Sequence, residues 1–145
     1  MDIVKVTFND NTVHEYKKGT LFYDASKDFD MENIVGYKIN NEVFSLDNKI
    51  LEDVKVDFIN TNDLIGNRIY KAGLKFLFLV SLQEVFNDFD VVYEHSVPRG
   101  MLGVLKGPRV LSHEDISKIK ARMCKLISDN EIITKLNVSA KDAIK

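Results

Sequence analysis

The sequence predicts an α+β protein, and three regions support that class. Alternating apolar and polar residues, the pattern of strands with one buried face, fill short stretches of residues 1–60. A long apolar stretch with helical spacing covers residues 67–89, and a second helical pattern begins at Ser112. Of the 145 residues, 45% are hydrophobic and 29% are charged, which is ordinary for a globular protein and unlike a disordered chain.

The first sixty residues contain a predicted hairpin, then a helix and further strands. Residues 2–8 and 12–16 alternate around an Asn-Asp-Asn turn, whose side chains tolerate left-handed backbone. Thr20 is predicted to cap a helix that begins at Leu21, with Asp24 in its first turn. The remaining strands of this region are predicted at residues 34–39, 43–44 and 54–59.

Residues 67–89 form the longest apolar stretch of the chain. No proline interrupts it, and its only internal glycine is Gly73. Apolar residues cover nearly all of the helix surface, so the pattern predicts a buried central helix on which everything after residue 60 packs. The continuous apolar piece is far shorter than the about 20 residues that a membrane-spanning helix needs.

Two short strands and a capped helix are predicted next. Residues 91–93 and 101–105 are strands, separated by a loop at residues 95–100. Ser112 and Asp115 form a predicted capping box at the start of a helix. The buried stripe of that helix is predicted to comprise Ile116, Ile119, Met123, Leu126 and Ile127.

The last residues predict a strand and the start of another helix. Residues 132–138 have the apolar composition of a strand, and the capping pattern recurs at residues 139–142. The sequence then stops at Lys145, where that helix has only begun. Such an ending is more typical of a piece of a longer protein than of a complete one.

Charge divides the chain near residue 60. Residues 1–60 carry 7 basic and 12 acidic residues, whereas residues 61–145 carry 13 basic and 10 acidic ones, within a net charge of −2. This asymmetry predicts a domain boundary near residue 60 and assigns any anion-binding surface to the second part. A surplus of this size does not by itself indicate nucleic-acid binding.

The single cysteine, Cys124, excludes an internal disulfide. The N-terminus lacks the pattern of a secretory signal, so the chain is predicted to be cytoplasmic. Cys124 lies next to the predicted buried stripe and is interpreted as a core thiol rather than a nucleophile.

The first part resembles the TGS domain, a small ubiquitin-like β-grasp module. The resemblance is carried by the opening hairpin, by the run Lys18-Gly19-Thr20-Leu21 and by Gly36 ahead of an Asn-rich turn. It implies a β-grasp domain at residues 1–61, of the kind found in threonyl-tRNA synthetases, some GTPases and stringent-response enzymes. Such a module either senses RNA or nucleotides or acts as a spacer, and the acidic composition here favours the spacer.

Residues 62–145 resemble the module that follows TGS in threonyl-tRNA synthetase and is shared with alanyl-tRNA synthetase. The resemblance is carried by the run LSHEDISKIKARMCKLISDNEIITKLNVSAKDAIK, with its Leu-Ser-x-Glu-Asp entry, basic helix and apolar strand ending in Val-Ser. It implies an α+β editing-like domain built on the long central helix.

The chain departs from that family at the central helix. The synthetases carry a His-x-x-x-His pair there, and in this sequence the corresponding positions are Ala72 and Phe76. The chain's three histidines, His14, His95 and His113, include no pair four residues apart. The Cys and His that complete the family's site would lie beyond residue 145. The resemblance therefore implies no catalytic residue, no metal and no tRNA editing in this chain.

A second resemblance suggests the identity of the longer protein. The TGS-containing uridine kinase-like nucleoside kinases keep the two modules, lack the histidine pair, and have a run like Tyr93-Glu94-His95-Ser96 followed by Gly100. This resemblance implies a non-catalytic regulatory or substrate-presenting region, with ATP and Mg²⁺ used by a kinase domain further along the same chain. The phosphate-binding loop of that kinase domain is absent from this sequence.

Two alternatives stay open beside the kinase interpretation. One is an RNA-binding module related to threonyl-tRNA synthetase, without editing activity. The other is a metal-dependent editing hydrolase whose ligands lie elsewhere in the chain.

The candidate ligand-binding residues surround the predicted hairpin after the central helix. They could form a small anion pocket for a phosphate or a uracil ring, or they could be solvated hairpin tips. These residues are Tyr70, Lys71, His95, Arg99, Lys106 and Arg109. The basic residues of the second helix could contact RNA, but a solvated face is the favoured interpretation for Lys118, Lys120, Arg122 and Lys125.

Overall fold

The computed structural model describes residues 2–97, 100–134 and 136–143. They form a mixed α+β structure, which confirms the predicted class. The chain divides into two compact units, Met1–Lys75 and Phe76–Lys145, and the division lies within one long helix. Each unit is described separately below.

The N-terminal unit contains two three-stranded sheets. Strands β1 (Ile3–Thr7) and β2 (Val13–Lys17) form the predicted antiparallel hairpin, and β5 (Val54–Lys55) pairs with β1 in parallel. The second sheet has the order β4-β3-β6 and is antiparallel throughout. Its strands are β3 (Ile34–Ile39), β4 (Glu42–Phe44) and β6 (Asp57–Asn60). The predicted strands of this region are present, except that the single strand predicted at residues 54–59 is interrupted at Val56 and forms β5 and β6 in different sheets.

The core of the N-terminal unit follows the alternation seen in the sequence. The side chains of Val4 and Val6 on β1, and of Phe8 directly after it, point to the same inner side, and all three are buried. Phe8 packs against Phe58 with ring centroids 5.3 Å apart. The other buried apolar residues of this core are Phe22, Ala25, Tyr37, Ile50 and Val56.

The predicted cap at Thr20 is wrong. Helix α1 is a single turn, Phe22–Ala25, whose N-cap is Leu21 without a side-chain cap, and a 3₁₀ turn follows it at Ser26–Asp28. The backbone N–H of Phe22 donates to the Asn48 carbonyl at 3.0 Å, so a neighbouring segment satisfies the first-turn donors. The Thr20 hydroxyl instead donates to the Lys17 carbonyl at 2.8 Å.

The long helix α2 spans Leu64–Val85, and the prediction that it is buried on several sides is wrong. Its buried residues are Gly66, Ser81 and Leu82. Ala72 is exposed, and Phe76 retains 46% of its accessible surface. The sequence pattern indicated an apolar helix surface, but it could not show which part of that surface is covered.

The C-terminal unit contains a hairpin and a second long helix. Strands β7 (Asp90–Val97) and β8 (Gly100–Lys106) pair antiparallel, with a bulge between Tyr93 and His95. Strand β7 therefore continues through residues 95–97, which had been predicted as loop. Helix α3 (His113–Ser128) has the predicted capping box at Ser112 and Asp115.

The core of the C-terminal unit is small. Among the described residues its fully buried apolar side chains are Leu82, Phe89 and Ile119. Three predictions for α3 are wrong: Ile116 and Ile127 are 46% and 63% exposed rather than part of a buried stripe, and Cys124 is exposed rather than in the core. The helical period correctly identified Ile119 but could not show how narrow the covered stripe is.

No strand is present in the described parts of residues 132–138, contrary to the prediction, and Lys135 lies outside the described residues. A strand needs partner hydrogen bonds that an apolar pattern cannot supply, and Ile132 is 86% exposed. The short helix α4 (Ala140–Ala143) begins where predicted, with the Asp142 N–H donating to the Ser139 hydroxyl at 3.3 Å.

Across the described residues, no helix has both the length and the apolar character needed to cross a membrane.

Ser81 provides a test of packing in the C-terminal half of α2. Its hydroxyl is fully buried and has no hydrogen-bond partner among the described residues. Because an unsatisfied buried hydroxyl costs free energy, we expect Ser81→Ala to stabilise the chain by about 1 kcal/mol in urea unfolding. Ser117→Ala is the matched control, since the Ser117 hydroxyl is on α3, exposed, and donates to the His113 carbonyl. Equal changes in the free energy of unfolding in the two variants would show that the buried Ser81 hydroxyl carries no penalty for lacking a hydrogen-bond partner.

Candidate functional site

Arg109, in the loop between β8 and α3, is held by an ion pair and by two aromatic rings. Its Nη1 donates to Asp115 Oδ2 at 2.6 Å and to the Val110 carbonyl at 3.3 Å. Its guanidinium carbon lies 5.5 Å from the Phe86 ring centre and 5.9 Å from that of Phe89. The ion pair and the two rings together hold the guanidinium in one place.

Asp115 organises the start of α3 as well as Arg109. Its Oδ2 accepts from the Ser112 N–H at 2.9 Å and from the Ser112 hydroxyl at 3.0 Å. The Arg109 guanidinium, followed by the Ser112 N–H, holds the pKa of Asp115 well below its usual range. The same hydrogen bond raises the pKa of Arg109. Asp115 is therefore ionised throughout the physiological pH range.

A cavity of about 480 Å³ lies beside this ion pair. Gly107 lines it, and a side chain there would collide with Phe89, because an added Cβ would lie 2.7 Å from Phe89 Cγ. The absence of a side chain thus lets the loop lie directly on the buried Phe89 ring. The complete lining is Phe89, Leu105, Gly107, Arg109, Val110, Leu111 and Ile116.

The structure separates two of the other predicted ligand residues, His95 and Lys106, along the hairpin. His95 lies opposite Leu102 in the hairpin, and Lys106 lies opposite Asp90, four positions further along β8. At about 3.3 Å per residue, that offset is ~13 Å. The structure therefore does not bring His95 and Lys106 together.

The other predicted ligand residues lie in the N-terminal unit or outside the described residues. Tyr70 and Lys71 lie on α2 within the N-terminal unit, and Tyr70 is 49% exposed. Arg99 lies outside the described residues. A shared anion pocket of all six residues stays a prediction.

The basic residues of α3 divide into paired and unpaired ones. Lys118 donates to Glu114 at 2.8 Å, and Arg122 pairs with Glu84 on α2 and lowers the pKa of that carboxyl. Lys120 and Lys125 are exposed, and the described residues place no carboxylate within ion-pair distance of either. These two lysines are the cations on α3 best able to meet an external phosphate.

The sequence did not predict the side chains that pair with Arg109 and Arg122. Glu84 is 38 residues from Arg122, and Phe86 is far along the chain from Arg109, so no local pattern connects them. The capping box did signal Asp115, because its spacing is local.

Among the described residues, no group of three or more histidine, cysteine, aspartate or glutamate side chains is arranged to hold a metal ion.

No protein-family model matches the chain. It is nevertheless similar over nearly its whole length to the N-terminal regions of aminoacyl-tRNA synthetases, and those relatives are threonine–tRNA ligases. The ligase of Parabacteroides distasonis is 26% identical over 147 residues, covering 99% of this chain and 23% of the ligase. Threonine–tRNA ligase 1 of Bacillus subtilis is 26% identical over 146 residues, covering 98% and 23%.

A third relative, from Caldanaerobacter subterraneus, is 24% identical over 143 residues, covering 97% of this chain and 22% of that threonine–tRNA ligase. The chain thus spans less than a quarter of the length of the curated relatives it matches.

These relatives overturn the uridine kinase prediction and, with it, the predicted kinase domain as partner. The kinase prediction rested on the replaced histidine pair and on a short run at residues 93–100, and neither feature indicates which domain follows. The expected use of ATP and Mg²⁺ rested on the kinase and loses its support.

Proposed function

We propose that this chain is a threonyl-tRNA synthetase-like N-terminal module that binds tRNA and does not edit it. The observation that carries the proposal is the similarity to threonine–tRNA ligases over 97–99% of the chain. A match of this extent is supported by both halves of the sequence rather than by one short motif. From the sequence alone, a kinase domain rather than RNA is the favoured partner, and this proposal replaces that prediction.

The strand pairing supports the finer proposal that residues 1–61 are a TGS-like β-grasp domain. The hairpin is followed by a helix, and the chain then returns in β5, which is parallel to β1. Val56 alone separates β5 from β6, and β6 pairs with β3. This connectivity is the one expected of a β-grasp domain. Residues 62–145 are proposed as the synthetase-like second module.

The side chains on α2 support the proposed lack of editing. Where the synthetases carry two histidines, this helix presents the Ala72 methyl group and the Phe76 ring. Neither side chain can coordinate a metal or transfer a proton. Both are exposed on α2, so a substrate that reached this face would meet apolar surface.

The exposed lysines of α3 support the C-terminal unit as a tRNA-binding part. Residues 61–145 carry a surplus of basic residues, although Arg68, Lys71 and Lys75 of that surplus lie on α2 within the N-terminal unit. On α3, Lys120 and Lys125 are the exposed cations without carboxylate partners among the described residues. Phosphate contacts of this kind give affinity that falls steeply with salt.

A tRNA titration at several salt concentrations tests the proposal. We expect binding at low salt that weakens steeply as salt rises, and a log–log slope about 2 smaller for Lys120→Glu/Lys125→Glu, because two phosphate contacts are lost. The same preparation should leave the ester of a mischarged tRNA to hydrolyse at the rate measured in buffer alone. The absence of a binding signal at low salt would rule out tRNA binding. Hydrolysis of the ester faster than in buffer alone would rule out the proposed lack of editing.

The matched control is Lys17→Glu/Lys18→Glu. It makes the same change in net charge at two exposed lysines of the acidic N-terminal unit. Its slope should stay close to that of the original chain. An equal loss of slope in both double variants would show that overall charge, rather than α3, governs binding.

A further inference from the structure

We infer that the cavity beside Arg109 binds a small molecule consisting of an apolar ring with one singly charged anionic group, such as a carboxylate or sulfonate. The inference is independent of tRNA binding, because it rests on the cavity and the geometry of Arg109 rather than on the surface lysines. It assigns a ligand class to a part of the C-terminal unit that the proposed function does not use.

The cavity has the size and the walls for an apolar ring. Its volume of about 480 Å³ falls within the range of small-molecule sites, roughly 300–1,000 Å³. Phe89, which is 2% exposed, and the half-buried Leu105 and Leu111 form apolar lining, while Ile116 and Val110 are more exposed, at 46% and 91%. A bound ring would remove part of this exposed apolar surface from water.

Arg109 supplies the matching group for an anion. Among the described residues, the hydrogen bonds of its guanidinium all run from Nη1, so the Nε–Nη2 edge of this side chain, which is 50% exposed, makes none of them. That edge can donate two parallel N–H bonds to a carboxylate or sulfonate. Because Asp115 and the two phenylalanine rings already hold the guanidinium, little conformational freedom is lost on binding.

Asp115 explains the preference for a singly charged ligand. Its carboxylate accepts from Arg109 and from the N–H and hydroxyl of Ser112, so the pair has no net charge. A neutral pair gives little to offset the cost of taking an anion out of water, and that cost is larger for a doubly charged phosphate than for a singly charged group. An anion attached to an apolar ring gains from the cavity walls as well as from the open guanidinium edge.

The test uses 8-anilinonaphthalene-1-sulfonate and its uncharged analogue N-phenyl-1-naphthylamine, titrated into the full chain under native conditions. We expect saturable one-to-one fluorescence enhancement by the sulfonate, with affinity about tenfold above that of the uncharged analogue. Arg109→Gln should reduce the affinity for the sulfonate to that for the analogue, whereas Lys141→Gln, at an exposed lysine of the same unit that does not line the cavity, should leave it unchanged.

A second pair of variants covers the possibility that Arg109→Gln perturbs folding. Val110→Asp adds a negative charge at the cavity rim, at a position so exposed that the fold should be unaffected. It should weaken sulfonate binding about tenfold by repulsion. Ile132→Asp is the control, because Ile132 is 86% exposed in the same unit but does not line the cavity.

Three outcomes would overturn the inference. The first is the absence of saturable binding by the original chain. The second is equal affinity for the charged and uncharged probes, which would show that Arg109 does not contribute. The third is a loss of binding in Ile132→Asp with none in Val110→Asp, which would assign the probe to the exposed C-terminal segment. Failure of the tRNA titration would leave these outcomes unaffected, so the two proposals can fail separately.

Discussion

Gly66→Ala is expected to destabilise the chain by about 3 kcal/mol. Gly66 is buried near the start of α2, and an added Cβ would overlap the Asn60 carbonyl oxygen and lie 2.6 Å from the carbonyl carbon. Asn60 ends β6 and is paired with Ile34 of β3, so this backbone cannot move away without breaking the sheet. Urea unfolding followed by circular dichroism measures the change.

Gly73→Ala on the same helix is the matched control. An added Cβ there meets nothing within 4 Å, so the substitution changes helix propensity without steric conflict. It should stabilise the chain by about 1 kcal/mol, as expected for alanine in place of glycine inside a helix. Changes of the same sign in the two variants would contradict the close contact between α2 and the end of β6.

Asp115→Asn should also destabilise the chain strongly, and this loss of stability should depend on pH. The variant keeps the shape of the side chain but loses the charge that Arg109 and the Ser112 N–H stabilise. At pH 7 we expect a clear fall in the urea midpoint relative to the original chain. Glu114→Gln is the control, because Glu114 is an exposed partner of Lys118, and its loss should cost at most about 0.5 kcal/mol.

The direction of the pH effect follows from the pKa of Asp115, which folding lowers. Its contribution to stability is complete above the ordinary aspartate pKa of about 4 and is lost as the pH falls through the lower pKa of the folded state. The difference in stability between the original chain and Asp115→Asn should therefore be constant from pH 7 to about pH 5 and should shrink below about pH 4. A difference that does not change at acidic pH would contradict the assignment of a lowered pKa to Asp115.

The parts of the fold that depend on neighbours in sequence were predictable. The alternation of residues 2–8 predicted the strand on which Val4 and Val6 are buried, and the spacing of Ser112 and Asp115 predicted the start of α3. The predictions at Thr20 and at residues 132–138 failed, because each depended on hydrogen bonds to distant backbone. The first N–H groups of α1 donate to the segment around Asn48 rather than to Thr20. For residues 132–138, no strand partner is present among the described residues.

The candidate site was predictable only in part, for the same reason. Arg109 was identified as a possible anion-binding residue, but its partners Phe86 and Phe89 precede it by about twenty residues, and the hairpin lies between them. His95 and Lys106 are near each other in sequence, yet the antiparallel register places them towards opposite ends of the hairpin. Ile116 and Ile127 were assigned to a buried stripe and Cys124 to the core beside it, but the width of that stripe depends on what packs against α3.

By itself the sequence determined the α+β class, the strands of the first sixty residues, the position of α2 and the capped start of α3, because these depend on the period of apolar residues and on local hydrogen bonds. The tertiary structure alone decided which apolar surface is covered, so that Phe76 lies exposed on α2 while Phe89 is buried. It also decided that Arg109 is held beside a cavity, since burial and ion pairing depend on segments that meet only when the chain folds.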